Sequence, residues 1–206
     1  MLAPVVVFVY NRYGHTIKTM ESLSRNYLAK ETEVFVYADG AKNEKSKVEV
    51  DKVRQYMEGL ENNHNFKTLK INYADQNRGL AKSVISGASE IINKYGKVIV
   101  LEDDLISSPN FLNYMNEALD YYESKKMVWS ICGYSYNLKI PKNYKHDIYF
   151  SYRAGSWGWA TWIDRWSSVD WEVADYDEFK TDKRARRRYN KGGRDRSDLL
   201  DAQMQH

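Results

Sequence analysis

Three carboxylates in a row, Glu102-Asp103-Asp104, follow directly on the apolar run Lys97-Val98-Ile99-Val100-Leu101. A continuous run of that kind reads as a strand covered on both faces. Like charges at its end repel one another, costing about 1 kcal/mol at ~4 Å in water and more where water is excluded. The spacing therefore demands a positive partner. Hard oxygen ligands select Mg²⁺ or Mn²⁺, which are typically held by one or two carboxylates together with substrate phosphates. The plainer use of these residues, as an acidic cap for the helix starting near Pro109, places that helix several residues too late to need all three.

Other polar groups sit at equivalent places. Asp39 follows Val34-Phe35-Val36-Tyr37-Ala38 and precedes Gly40, so its carboxylate can accept from a base or a ribose while glycine lets the chain turn away. Asn11-Arg12 close the first apolar run, and Asp75-Gln76-Asn77-Arg78-Gly79 follow the third. Arg12 and Arg78 are suited to neutralising a diphosphate. Each of these alone also reads as a turn, a helix cap or a surface charge. Their gathering at the ends of successive strands is what points to a site, because ligands of open parallel sheets bind outside the carboxyl ends of the strands. No Gly-x-Gly-x-x-Gly follows the first strand and no Gly-x-x-x-x-Gly-Lys-Ser/Thr occurs, which argues against dinucleotide cofactors and P-loop ATP hydrolysis.

Further along, Gly155-Ser156-Trp157-Gly158-Trp159-Ala160-Thr161-Trp162 brings aromatic faces that stack on sugar rings beside small residues that admit a substrate. Trp157 is expected to face the site. Trp159, Trp162 and Trp166, at i, i+3 and i+7, read as a helical core stripe. The single cysteine, Cys132, excludes a disulfide framework and a multi-cysteine zinc site. His15, His64, His146 and His206 stand alone and read as surface or core residues.

The elements that must position these groups alternate. Pro4–Tyr10, Glu33–Tyr37, Thr68–Tyr73 and Lys97–Leu101 read as strands, and between them apolar residues recur at helical spacing: Ile17, Met20, Leu23, Tyr27 and Leu28; Val53, Tyr56, Met57 and Leu60; Leu80, Val84, Ile85, Ala88, Ile91 and Ile92. The order βαβαβαβ, with right-handed crossovers, predicts an α/β, three-layer α/β/α Rossmann-like sandwich around a mostly parallel sheet. A helix carrying Phe111, Met115, Ala118, Leu119 and Tyr122 and a strand from Met127 to Cys132 come next. The expected organisation is one domain of 206 residues, with a ligand-binding portion over 1–130 and an aromatic-rich portion over 131–206. The net charge of +3 does not suggest a nucleic-acid partner. The Leu2–Tyr10 run is about half the length a membrane span requires and lacks the basic start of an export signal. A cytoplasmic location follows as the expectation, with the basic stretch Lys180 to Arg196 available for peripheral contact with a membrane surface.

Tyr10-Asn11-Arg12, Ala38-Asp39-Gly40, Asn77-Arg78-Gly79-Leu80-Ala81 and Leu101-Glu102-Asp103-Asp104, in this order and spacing, resemble the nucleotide-sugar-binding half of GT-A glycosyltransferases of the family 2 type, over about residues 4–166. The glutamate-first triad is similar to that of the N-acetylglucosaminyltransferase I group. The resemblance implies a GT-A fold and metal-dependent, inverting transfer from a UDP-sugar to a glycan, a lipid-linked sugar or another hydroxyl acceptor. By it, Asn11 and Arg12 belong to the donor site, Asp39 contacts uracil or ribose, and Arg78 lines the donor pocket. Glu102 contacts the donor sugar, Asp103 lies near ribose or sugar, and Asp104 ligates Mn²⁺ or Mg²⁺. Trp157 belongs to the acceptor side. A carboxylate base is also implied downstream, where Asp198 and Asp201 are the nearest matches and Asp164, Asp170, Asp175 and Asp177 are also available. The family's usual length leaves room for that base beyond residue 206. Two rivals share features of the pattern: a sugar nucleotidylyltransferase, for which Asn11-Arg12-Tyr13-Gly14 is a poor phosphate loop, and a non-catalytic glycan-binding module.

Overall fold

The computed structural model describes residues 1–205. The alternating half forms β1 (Val5–Val9), α1 (Tyr13–Ser24), β2 (Glu33–Ala38), α2 (Glu44–Glu61), β3 (Thr68–Tyr73), α3 (Leu80–Tyr95) and β4 (Lys97–Glu102). Then come α4 (Phe111–Tyr122), β5 (Ile131–Cys132), β6 (Trp159–Trp162) and α5 (Ile163–Trp166), followed by α6 (Tyr176–Phe179), α7 (Lys183–Tyr189) and α8 (Arg196–Gln203). His206 lies outside the described residues.

The strands form a six-stranded sheet in the order β3-β2-β1-β4-β6-β5. β1 pairs in parallel with both β2 and β4, β2 pairs in parallel with β3, and β6 runs antiparallel between β4 and β5. The chain thus winds outward from β1 to β3, then returns across it to β4. The α/β class and the mostly parallel sheet are as expected. Cover on both faces explains the continuous apolar runs: Val5, Val7 and Val9 pack with Met20, Leu23, Val53, Met57 and Leu119, whereas Val6 and Phe8 pack with Ala88, Ile91 and Ile92. Helices α1, α2 and α4 therefore cover one face, and α3 covers the other. Each fully buried aliphatic side chain contributes about 1.5–3 kcal/mol.

Local chemistry sets the helix ends. Asn43 and Ser46 form a capping box at the start of α2, and Gly96, at φ 78°, closes α3 in the left-handed conformation that glycine adopts without strain.

Two expectations need correction. The strand read over Met127–Cys132 is reduced to Ile131–Cys132. Its earlier carbonyls are taken by side chains instead: Arg165 donates to Val128 O, and Thr161 Oγ1 donates to Trp129 O. The tryptophans do not form one helical stripe. Trp159 and Trp162 lie on β6 and Trp166 ends α5, so they divide between the faces. Trp162 packs with Leu119 and Ala160 and donates to Leu119 O, while Trp159 stacks on Trp166 at 5.5 Å on the α3 side.

The chain forms two compact units: Met1–Tyr134 with Ser156–Ser167, and Ser135–Gly155 with the chain from Ser168 onward. Residues 156–167 thus belong to the first unit, where they supply β6 to the sheet and then α5. Within the second unit, Arg153 binds Asp195 through three hydrogen bonds and Arg196 stacks over Tyr189 at 4.2 Å. No helix among the described residues is long and apolar enough to cross a membrane.

Asp164, at the start of α5, accepts from Lys126 at 2.6 Å and from Arg165 at 2.8 Å, and these bonds bring its carboxyl down to about 2. A depressed folded-state pKa adds stability that is present above the unfolded value and lost as pH falls through the folded one. The Asp164 carboxyl should therefore titrate near 2 by carbon-detected NMR. Asp164→Asn should flatten the stability profile across the acid range between that value and the usual carboxylate pKa, by a small amount because the site is exposed.

Candidate functional site

The return from β3 to β4 leaves a crevice between the carboxyl ends of β1 and β4, the position at which doubly wound sheets bind ligands. Phe8 pairs with Glu102, so the residues that follow each strand emerge side by side. On the β1 side these are Tyr10, Asn11 and Arg12; on the β4 side they are Asp103 and Asp104.

Asp103 is buried, with 3% of its side chain exposed. Its Oδ1 meets Arg12 Nη2 at 2.5 Å, and its Oδ2 accepts from the Tyr10 amide at 3.3 Å. The other arm of the same guanidinium, Nη1, reaches Asp104 Oδ2 at 2.8 Å. Asp104 is more open, with 37% of its side chain exposed. Burial pushes the Asp103 carboxyl upward, and Arg12 offsets this only in part. Burial, followed by repulsion from Asp104, also pushes Glu102 upward. For Arg12 burial acts downward, but the two aspartates outweigh it and hold the guanidinium above its ordinary value.

The positive partner demanded by the acidic run is thus supplied by the chain itself, as Arg12. One guanidinium offsets only part of the repulsion among three carboxylates, and Glu102 is still pushed upward by Asp104. The donor chemistry fits a metal of a particular kind. Both oxygens of Asp103 are engaged, whereas Asp104 Oδ1 has no partner among the described residues, and no group of three or more metal-binding side chains occurs among them. A hard cation held by one carboxylate and completed by phosphate oxygens suits this arrangement, and an all-protein cage does not.

A second arrangement lies at the ends of β2 and β3. Asp39 Oδ1 accepts from the amides of Gly40 at 2.9 Å and Arg78 at 2.8 Å; its Oδ2 accepts from Asn77 Nδ2 at 2.9 Å and the Gly79 amide at 3.0 Å. Four N–H groups occupy about the full accepting capacity of a carboxylate. A base or ribose contact by Asp39 therefore competes with the chain's own amides. Asn77 also donates to Gly40 O, so it acts as a strut of this loop. Gly40 is required by close approach, since a Cβ there would lie 2.5 Å from the Gln76 carbonyl carbon. Arg78 and Lys82 line a surface depression of about 520 Å³ with Asp75, Gln76, Asn77 and Ser86.

Trp157 lies two residues before Trp159, whose partner on antiparallel β4 is Val100. Glycine at 158, with φ 67°, sits against Leu101 and Phe111, and carrying the β4–β6 register two residues further sets position 157 opposite Glu102. The indole is half exposed and meets the Tyr134 ring edge-on at 4.6 Å.

Asp198 and Asp201 lie on α8 in the second unit. Asp201 is bound bidentately by Arg186 at 2.9 and 2.7 Å and by Tyr176 Oη at 3.2 Å, and the Arg186 bonds lead in holding its carboxyl below the usual range. Such a group is a weak base and works as a tie between helices. Asp198 is open, 3.7 Å from Arg186.

Sequence reading gave no role to two residues of the first unit. Arg54, on α2, donates to Ala74 O at 2.5 Å and Asp39 O at 3.4 Å, joining the ends of β2 and β3. In sequence it is one more charge on an amphipathic helix. Tyr10 contributes its backbone amide to Asp103, a role with no sequence signature, and its hydroxyl oxygen accepts from the Lys42 amide. The Asp39 network yields a direct expectation. Asp39→Asn turns two acceptor positions into donors, and each buried N–H left unpaired should cost about 1–3 kcal/mol. A lower urea midpoint with an unchanged slope would register that loss.

Residues 5–169 match the family described as Glycosyl transferase family 2. An alpha-1,3-mannosyl-glycoprotein 2-beta-N-acetylglucosaminyltransferase of Arabidopsis thaliana is 29% identical over 90 residues, covering 39% of this chain and 20% of that protein. Among solved structures, TarS of S. aureus aligns over 60% of this chain and 20% of its own, at 20% identity and a TM-score of 0.47. A TarS 1–349 structure in complex with UDP-GlcNAc aligns over 60% of this chain and 32% of its own, at 21% identity and a TM-score of 0.46. The chain spans about a fifth of the length of the Arabidopsis protein and of TarS. With most of its length matched by the family, the chain belongs to glycosyl transferase family 2.

Proposed function

We propose that the chain is a metal-dependent, inverting glycosyltransferase that moves a sugar from a UDP-sugar to a glycan or other hydroxyl acceptor. The observation that carries this reading is the Arg12–Asp103–Asp104 arrangement in the crevice between β1 and β4, in a chain of this family. The Arabidopsis relative is by name an N-acetylglucosaminyltransferase, which makes UDP-GlcNAc the first donor to test and agrees with the glutamate-first triad.

In this reading Asp104 would hold Mn²⁺ or Mg²⁺ together with phosphate oxygens of the donor. The ion, when bound, supplies Lewis-acid stabilisation of the departing diphosphate. Arg12 and Arg78 add positive charge along the same rim, and Asp103 keeps Arg12 anchored there. Asn11 and Glu102 border the crevice and complete the donor site. Asp39 serves by holding the loop of Asn77, Arg78 and Gly79 in place. Trp157 offers an aromatic face for the acceptor glycan. Of the two base candidates, Asp198 is the one not committed to an ion pair at hydrogen-bond distance, and an inverting reaction needs such a carboxylate beside the acceptor hydroxyl. Arg184, Arg187 and Arg188 are exposed on α7 while Arg186 turns inward to Asp201, a distribution suited to an anionic membrane surface.

Calorimetry with UDP, with and without Mn²⁺, on the wild type and on Asp104→Ala tests the site. Mn²⁺ should tighten UDP binding by about tenfold or more in the wild type, within the usual range of coupling between sites, and should have little effect in the variant. Equal UDP affinity in all four conditions would remove the metal–diphosphate reading. Slow hydrolysis of UDP-GlcNAc without acceptor is the expected sign of an enzyme, and intact donor after prolonged incubation would favour a binding module.

A further inference from the structure

The guanidinium of Arg12 is divided between two unequal carboxylates. Its Nη2 is fixed at 2.5 Å to Asp103, which has almost no contact with water. Its Nη1 reaches Asp104 at 2.8 Å on the open side of the crevice. The inner contact is costly to break, because it would leave a buried carboxylate with only the Tyr10 amide. The outer contact lies at a partly hydrated carboxylate that can exchange one cation for another.

We propose that Arg12 is the resident counter-cation of the acidic pair and competes with the divalent ion for Asp104, so that nucleotide and metal bind cooperatively. The inference rests on the preceding reading of a metal–diphosphate site. In the free chain, Arg12 offsets part of the negative field that would draw in a cation, and it occupies one oxygen of the carboxylate meant to hold it. A diphosphate changes this balance in two ways. It gives the outer arm of Arg12 an anionic oxygen to donate to in place of Asp104, and it brings the additional oxygens that a hard cation requires. Binding of either ligand then favours the other by the same factor, as linkage demands.

Titration of Mn²⁺ into the protein, followed by the electron paramagnetic resonance signal of free Mn²⁺, reads the competition without any turnover. Wild type and Arg12→Ala are compared with and without UDP. In the wild type, Mn²⁺ should bind weakly alone and about tenfold or more tighter with UDP. Arg12→Ala should bind Mn²⁺ tighter than the wild type in the absence of UDP, by about the same factor, and the effect of UDP should shrink. Arg12→Lys keeps the charge but loses the fork, so it should fall between the two. Near-ultraviolet circular dichroism establishes whether Arg12→Ala is folded; if it is not, Arg12→Lys carries the comparison, with tighter Mn²⁺ binding supporting the inference and equal or weaker binding overturning it. Should UDP tighten Mn²⁺ in the wild type while the folded Arg12 variant gains nothing, the competition is wrong and the metal site stands. Should the wild type fail to bind Mn²⁺ even with UDP, the metal reading fails and this inference fails with it.

Discussion

A carboxylate taken out of water must be paired or lose its charge, and Asp103 is almost without solvent at the end of β4. Its position follows from the pairing of β4 with β1, which lays the residues after one strand beside the residues after the other. Tyr10 and Arg12 answer the carboxylate from across that seam. The same contact therefore stitches the two strands at their carboxyl ends and places a guanidinium next to the more open Asp104. Stability and chemistry meet in one group here: the burial that makes Asp103 expensive also keeps Arg12 in place.

The neighbouring strand ends follow a related logic with a different outcome. Asp39 is also nearly buried, but it is satisfied by amides of its own chain and by Asn77 instead of by a cation. A carboxylate saturated by backbone N–H groups fixes loop shape, while one paired to a flexible arginine leaves an exchangeable partner. The two acidic positions thus divide the work of the rim. Asp39 sets where Arg78 and the first turn of α3 lie, and the Asp103–Asp104 pair holds the Arg12 guanidinium.

The tryptophan segment shows how a residue pattern can serve two periods. Spacings of three and four suit a helix, and Trp159, Trp162 and Trp166 do pack inside. They nevertheless divide between opposite faces of the sheet, because the first two stand on a strand. What decides the matter is the open edge of β4, whose N–H and C=O groups need a partner that β6 supplies from far along the chain. No local window of sequence contains that requirement. The same holds for Met127–Cys132, where apolar residues suggested a strand but the buried Arg165 and Thr161 claimed the carbonyls first.

The amino-acid sequence by itself determined the alternation of strands and helices, the parallel sheet, and the set of polar residues at the strand ends, since burial on both faces and helical periodicity are written in local residue order. It also contained Arg12 and the acidic triad as separate features. Only the tertiary structure decided that Arg12 pairs with Asp103 and Asp104, that Asp39 is saturated by its own chain, and that Asp201 belongs to Arg186. The physical reason is range. Propensity and periodicity act over a few neighbours, but the charge state and availability of a carboxylate depend on groups brought within about 3–4 Å from distant parts of the chain.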